Sequence, residues 1–394
     1  MRKRFVVGVA LIAGCAAPVT TGKVAPPTPA AGSTASSTAS ATASATASAS
    51  SGSTVARNAL PQRLSDAEFW KLQSEISEPD AYFRIEDNYT SNEMEVGQLF
   101  TMLRDRKISG DVYLGVGPEQ NFSYIAAVRP QMAFIIDIRR QAAMQHLMFK
   151  AVFELSRDRA DFISLLFSKP RPAGLDSTTA IQAMWEAFRR VPTDSALGSK
   201  NYQRILDQLT KTQRFVFTED EMRKFNAVFG AFFEYGPSIT TRGGQFGRSG
   251  DFATLTGFSY DNAGQPRSFL STEENYRYVK MLHDRNLIVP ITGDFGKDRA
   301  LRAVGAYIRE HGSVVRAFYV SNVEQYLFGD AHDRAFYANV ATFPVDSTSV
   351  FIRPYSMRRG SVGGVESLCP IQSFIVAAMA GRVTSNDAAL ACAR

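Results

Sequence analysis

Residues 111–122 read DVYLGVGPEQNF. The apolar run Val112 to Leu114 leads into Gly115, Gly117 and Pro118. A short buried run ending at glycines predicts a strand entering a tight turn, and the pattern over 119–128 predicts a helix. Residues 132–138, MAFIIDI, are nearly all apolar, as expected of a strand with helices on both faces. A helix over 141–155 completes a β-α-β-α run. That run predicts the α/β class, with a doubly wound, mostly parallel sheet.

Upstream, LSDAEFWKLQSEI (64–76) carries apolar residues at helical spacing. Thr90 followed by Glu93 reads as a capping box opening a helix to about 106. Downstream, the stretches FISLLF, IQAMWEAF and YQRILDQL mark a long helical segment, followed by the Gly-rich TRGGQFGRSGDF at 241–252. The sheet resumes at 287–294, followed by a helix at 298–310, a strand at 314–320, a helix at 331–342 and a strand at 349–353. A large helical insertion, about 156–286, is thus expected within one α/β domain spanning 64–394. Its expected position is over the C-terminal edge of the strands, where open sheets bind ligands.

The chain opens MRKRFVVGVALIAGC. Three basic residues, a short apolar core and small residues before Cys15 predict an export signal over 1–14. The apolar part falls short of the roughly 20 residues that span a bilayer. Ile12-Ala13-Gly14-Cys15 resembles the lipobox of bacterial lipoproteins, which implies lipid on Cys15; an ordinary secretory signal is the alternative. Ala16 stands where an aspartate would imply retention at the inner membrane, so the resemblance implies a lipid-anchored protein of the cell envelope, at the outer membrane and facing the periplasm or cell surface. Residues 15–63, rich in Ser, Thr and Ala and without acidic or aromatic residues, have no face to bury and read as a tether.

The 394 residues carry 44 Lys and Arg against 38 Asp and Glu, but six of the basic residues precede Leu64 and no acidic residue does. The folded part is therefore neutral, which removes nucleic acid as a partner class. Cys369 and Cys392 flank a predicted helical hairpin, about 370–392, whose antiparallel helices would bring them together. A disulfide is expected there, with two free thiols as the alternative. His146, His283, His311 and His332 lack any i,i+3 or i,i+4 pairing, so no metal site is read from them.

Glycines after a strand let backbone approach a ligand, and an acid after the next strand can accept hydrogen bonds from ribose hydroxyls. Asp137 stands 22 residues beyond Gly115. NAD and FAD fit poorly: the third glycine is missing, and Glu119 puts a carboxylate at the helix start where a pyrophosphate would sit. Over residues 90–355 the sequence resembles class I methyltransferases. Gly115 and Gly117 match two glycines of that family's first motif, and Asp137 matches its ribose-holding acid. Thr292-Gly293-Asp294 resembles the motif whose aspartate meets the adenine. The stretches SNE, GVGPEQNF, IVPITGDF and AFYVSNVEQYL resemble an uncharacterised group of bacterial methyltransferase-like proteins.

The resemblance implies a Rossmann-like fold, S-adenosylmethionine as cofactor and methyl transfer as activity. Asn322, Arg242 and Arg248 are the expected substrate-facing residues. The sequence departs from the pattern at Tyr113, where the family has an acid, and at Glu119, in the place of the third glycine. The envelope location adds a second reading. An exported protein has no supply of that cofactor, so the sheet would serve as a non-catalytic scaffold for a small molecule or an envelope protein.

Overall fold

The structure, a computed structural model, describes residues 59–85, 87–93, 96–244, 250–353 and 367–392. The export signal, Cys15, the tether before residue 59 and Arg248 lie outside the described residues.

Six strands form one mixed sheet: β1 (Val112–Gly115), β2 (Met132–Asp137), β3 (Ile288–Thr292), β4 (Val315–Tyr319), β5 (Val350–Ile352) and β6 (Leu368–Pro370). Their spatial order is β3-β2-β1-β4-β5-β6. The first five run parallel, and β6 closes the edge antiparallel to β5. Every residue of β1, β2 and β3 is buried, which is why these strands read as continuous apolar runs rather than alternating ones. The strand order reverses direction between β1 and β4.

Helices α1 (Asp66–Ile76) and α2 (Gly97–Asp105) precede the sheet; α3 (Gln120–Val128) joins β1 to β2, and α4 (Arg140–Leu155) follows β2. Then come α5 (Arg159–Phe167), α6 (Ile181–Arg189), α7 (Ser195–Asp207), α8 (Glu219–Tyr235), α9 (Phe252–Gly257) and α10 (Glu273–Asp284), the last leading into β3. After β3 lie α11 (Ala300–Glu310), α12 (Val323–Gly329), α13 (Asp333–Val340), α14 (Ile371–Met379) and α15 (Asn386–Leu390). Right-handed crossovers put α3 and α4 on one face of the sheet and α11 and α13 on the other. Val55–Arg394 packs as one compact unit.

The insertion reaches the strand edge through its turn at Thr240–Arg242, while its helices pack elsewhere. Helices α5, α7, α8 and α10 pack against α4, thickening the layer on one face. An aromatic cluster joins them: Phe122 of α3 meets Phe149 and Phe153 of α4, Phe269 and His283 edge-on. Such edge-to-face pairs contribute about 0.5–1.5 kcal/mol each beyond the area they bury. The apolar stripe of α4 thus belongs to a helical layer, a distinction the 3.6 period alone does not carry.

Three other elements differ from expectation. Helix α2 starts at Gly97, four residues beyond Glu93, and Val96 at its N-cap makes no side-chain cap. The Thr90–Glu93 pair is therefore not a capping box; Glu93 turns into the core instead. Helix α12 and strand β6 were not anticipated, being only seven and three residues long. Cys369, in β6, is disulfide-bonded to Cys392, just beyond α15, with the Cα atoms 5.7 Å apart. Closing a loop of this size contributes about 3 kcal/mol and ties the short edge strand to the terminal hairpin. Among the described residues no helix is long and apolar enough to cross a membrane.

Candidate ligand-binding site

A cavity of about 590 Å³ opens at the C-terminal ends of β1, β2, β3 and β4. Its floor includes Gly117 and Pro118 after β1, Asp137 at the end of β2, Gly293 and Asp294 after β3, and Ser321 and Asn322 after β4. Thr240, Thr241 and Arg242 reach it from the insertion. One further wall comes from the chain before α2: Tyr82, Phe83, Ile85, Asn88, Ser91 and Asn92.

That wall is tied down at both ends. Glu78 donates its backbone N–H to Thr292 O at 2.8 Å, and its carboxylate accepts the N–H groups of Asp294 at 3.2 Å and Ala300 at 2.9 Å. Glu78 thereby caps α11 and braces the loop after β3. At the other end, Tyr89 donates its N–H to Thr241 O at 3.0 Å, while Gln145 holds Tyr89 O at 2.7 Å. Between them, Phe83 meets the Tyr326 ring edge-on and Arg84 lies 4.8 Å over the same ring.

The turn after β1 is built from behind. Asn121 Nδ2 donates to the carbonyls of Val116 at 3.0 Å, Gly117 at 3.1 Å and Pro118 at 2.7 Å, and its Oδ1 accepts the Tyr113 hydroxyl at 3.0 Å. His146 Nε2 lies 2.8 Å from Gly117 O, which places the ring proton on that nitrogen. Burial holds His146 down to about 4, so the ring is neutral at pH 7. The two glycines have different tasks. Gly117 adopts φ +76° and lines the cavity, with nothing nearer to a built Cβ than Asn88 Nδ2 at 3.8 Å. Gly115 lies outside the cavity lining, and a Cβ there would fall 1.8 Å from Asn121 Oδ1.

Asp137 is buried and already engaged. Arg139 grips it bidentately, Nε to Oδ1 at 2.9 Å and Nη2 to Oδ2 at 2.8 Å, and the Arg139 backbone N–H adds a bond to Oδ1 at 3.0 Å. Burial raises the Asp137 carboxyl, but the Arg139 charge and hydrogen bonds outweigh it and leave the group below its usual range. The guanidinium also lies 5.7 Å over the Phe83 ring. Asp294 accepts the Gly296 N–H at 2.9 Å.

Beneath the cavity lie two buried carboxyls that, among the described residues, pair with no cation. Glu93 accepts the Ser321 hydroxyl at 2.6 Å, and Glu119 accepts the Ser91 N–H at 3.1 and 3.2 Å through its two oxygens. Burial pushes Glu93 up to about 7, against the lowering effect of Ser321 and Tyr319. Burial pushes Glu119 up to about 8, with the Ser91 N–H lowering it and the Glu93 charge adding to the rise. Glu119 therefore closes the start of α3 from within, and its carboxyl faces Ser91 rather than a ligand.

These carboxyls set a pH dependence of stability. Each has an ordinary value of 4.5, so between there and about 7–8 the folded state holds protons that the unfolded chain releases. Stability is greatest below 4.5 on this account and falls as pH rises through the window. Neutral His146, with an ordinary value of 6.5, acts in the opposite sense below that pH, and so does His283. Between pH 6.5 and 8 the carboxyls outweigh the fading contribution of the histidines. Urea midpoints should show stability falling by about 2 kcal/mol over that interval, and the fall should vanish in Glu93→Gln/Glu119→Gln. A flat profile in the parent protein would contradict the buried, uncompensated state of the two acids.

A family model described as a domain of unknown function, DUF7790, matches residues 89–227 and 256–369. The chain belongs to this family. No curated protein matches the sequence. The DUF7790 match takes in the strands β1 to β5 and the cavity residues Gly117, Asp137, Asp294, Ser321 and Asn322. Tyr82, Phe83, Ile85, Asn88 and the Thr240–Arg242 turn, which wall the cavity, fall outside the matched segments.

Of the residues singled out in the sequence, Gly117, Asp137, Asp294, Asn322 and Arg242 meet in the cavity; Gly115 stands behind it and Arg248 lies outside the described residues. Arg139, Glu93 as a buried acid, Ser321 as its partner, and the Phe83–Tyr326 contact were not anticipated. The DIRR run at 137–140 displays Arg139 in sequence, yet whether it folds back on Asp137 depends on the turn. Among the described residues no group of three or more His, Cys, Asp or Glu could hold a metal ion.

Proposed function

We propose that the cavity binds a nucleoside-bearing small molecule, with S-adenosylmethionine the leading candidate and methyl transfer to a second ligand the activity, in a protein anchored to the cell envelope through lipid on Cys15. One observation carries the reading: the cavity lies where the strand order reverses, at the C-terminal ends of the strands, and gathers Gly117, Asp137 and Asp294 there. The β3-β2-β1-β4-β5 order with an antiparallel edge strand supports a methyltransferase-like, Rossmann-like sheet.

The residues fit such a ligand in kind. Gly117 presents backbone without a side chain, Asp137 and Asp294 offer carboxylate acceptors, and Tyr82 offers a ring face at which a sulfonium would be favoured. When bound, the cofactor supplies an electrophilic methyl group. Asn322 and Arg242, which also line the cavity, would orient the acceptor molecule.

A second reading, a binding scaffold without catalysis, is favoured by the Asp137–Arg139 pair, because ribose hydroxyls would have to displace a bidentate guanidinium. Calorimetric titration of S-adenosylmethionine and S-adenosylhomocysteine separates the two. The first predicts micromolar affinity, weakened about 10- to 100-fold in Asp137→Ala. Arg139→Ala should bind at least as tightly, since it frees the acceptor oxygens. Absence of heat at millimolar ligand would overturn the cofactor reading and leave the scaffold.

A further inference from the structure

Ser321 lies in the turn after β4 with φ +47°, in the left-handed region that serine rarely occupies. Such backbone persists where the surroundings over-determine it, and it clusters at functional sites. Glycine or asparagine would hold the same turn at lower cost. Ser321 lines the cavity, and its hydroxyl donates to Glu93 Oε1 at 2.6 Å. Glu93 is only 4% exposed, and its Oε2 is buried without a well-formed hydrogen bond.

Among the described residues no cation pairs with Glu93 to explain a structural carboxylate. The titratable groups acting on it are Tyr113 of β1, Glu119 before α3, Tyr124 of α3 and Tyr319 of β4. A carboxyl buried without a cation partner among the described residues is costly, and glutamine would keep the Ser321 contact without a charge to bury. The tyrosines can stabilise a transient negative charge but cannot neutralise it permanently. The arrangement suits a group that gains and loses a proton through Ser321, whose hydroxyl its Oε1 holds at 2.6 Å at the cavity wall.

We propose that Ser321 is the proton-exchanging hydroxyl of the cavity, with Glu93 as the acid–base group acting through it. This rests on the reading of the cavity as a ligand site, and on neither choice of ligand. The Ser321 Oγ–H proton passes to Glu93 Oε1 while Oγ takes a proton from an N–H or O–H of the ligand. The electron pair of the broken bond stays on the ligand atom, which becomes the nucleophile. Glu93 touches no ligand and is a positioning and proton-accepting residue; the atom that meets the ligand is Ser321 Oγ.

The test needs no knowledge of the ligand. Phenylmethanesulfonyl fluoride is added to the full chain, and the modified peptide is located by mass spectrometry. Attack by Oγ forms the O–S bond, the S–F bond breaks, fluoride leaves and the proton goes to Glu93. The proposal predicts labelling at Ser321 that accelerates as pH rises through 7, and a rate lower by on the order of 10²-fold in Glu93→Gln. Ser91, which also lines the cavity but has no carboxylate at its hydroxyl, should react far more slowly.

Equal rates at Ser321 and Ser91, or a Ser321 rate unchanged in Glu93→Gln, would overturn the proposal. Should Glu93→Gln fail to melt cooperatively, Glu93→Asp draws the carboxyl back from Oγ and must slow the reaction too. Glu93-dependent labelling in a protein that gives no heat with S-adenosylmethionine would retain the dyad and dismiss only the cofactor. Cofactor binding with Glu93-independent labelling would dismiss the dyad alone.

Discussion

Arg353→Ala should destabilise the protein by about 3–5 kcal/mol, the largest loss expected of a single side chain in the fold. Arg353 and Glu324 are both fully buried and joined bidentately, Nε to Oε2 at 2.7 Å and Nη2 to Oε1 at 2.8 Å. The Tyr337 hydroxyl completes the carboxylate at 2.9 Å, and the guanidinium lies 4.7 Å from the ring centres of Phe351 and Phe374. Removing the arginine leaves a carboxylate in the core with one tyrosine for company. Replacing both partners, as Arg353→Met/Glu324→Leu, should recover most of the loss, because a matched apolar pair leaves no charge behind.

The same pair has a functional consequence. It ties β5 to α12, and α12 supplies Val323, Tyr326 and Leu327 to the cavity wall. Arg353→Ala should therefore weaken ligand binding as well as stability, while the apolar double variant restores both together. Urea midpoints with unchanged slope would measure the first effect. A loss below 1 kcal/mol would mean the pair is hydrated rather than buried.

Gly115→Ala is the second large effect, expected to cost at least about 3 kcal/mol or to prevent folding. The new Cβ would lie 1.8 Å from Asn121 Oδ1 and 2.9 Å from the Tyr113 ring. Asn121 cannot retreat, since it satisfies three carbonyls and the Tyr113 hydroxyl. Gly117→Ala offers the contrast. Its Cβ would meet only Asn88 Nδ2, at an unstrained 3.8 Å, so only the left-handed backbone penalises it, by about 1–2 kcal/mol. Its larger effect should be on ligand affinity, because the methyl group projects toward the cavity. If Gly115→Ala folded normally and lost only affinity, the architectural role assigned to Gly115 would be wrong.

The two glycines show how far the sequence could be read. DVYLGVGPEQNF announces a strand and a turn because its apolar run and glycines act locally. It does not reveal that Gly115 makes room for Asn121, six residues later, while Gly117 faces the cavity. Both readings of a glycine after a strand satisfy the same local rule. Glu93 teaches the same point from the other side. Thr90 and Glu93 have capping-box spacing, but spacing describes what a helix start could use. Here a Ser321 hydroxyl, 228 residues away, claims the carboxylate.

Local periodicity and turn chemistry determined the α/β class, the strands β1 to β5, the long helices and the extent of the helical insertion, because each depends on residues within one or two turns of each other. The neutrality of the folded part was equally legible, as a matter of counting. Tertiary structure alone decided that the inserted helices pack beside α4 while only the Thr240–Arg242 turn of the insertion reaches the strand edge. It also decided that Arg139 closes on Asp137 and that two acids lie buried under the cavity. Those outcomes turn on which side chains meet across distant segments and on how much water is excluded when they do. A carboxylate's charge, strength and availability follow from that exclusion, and no spacing in the chain encodes it.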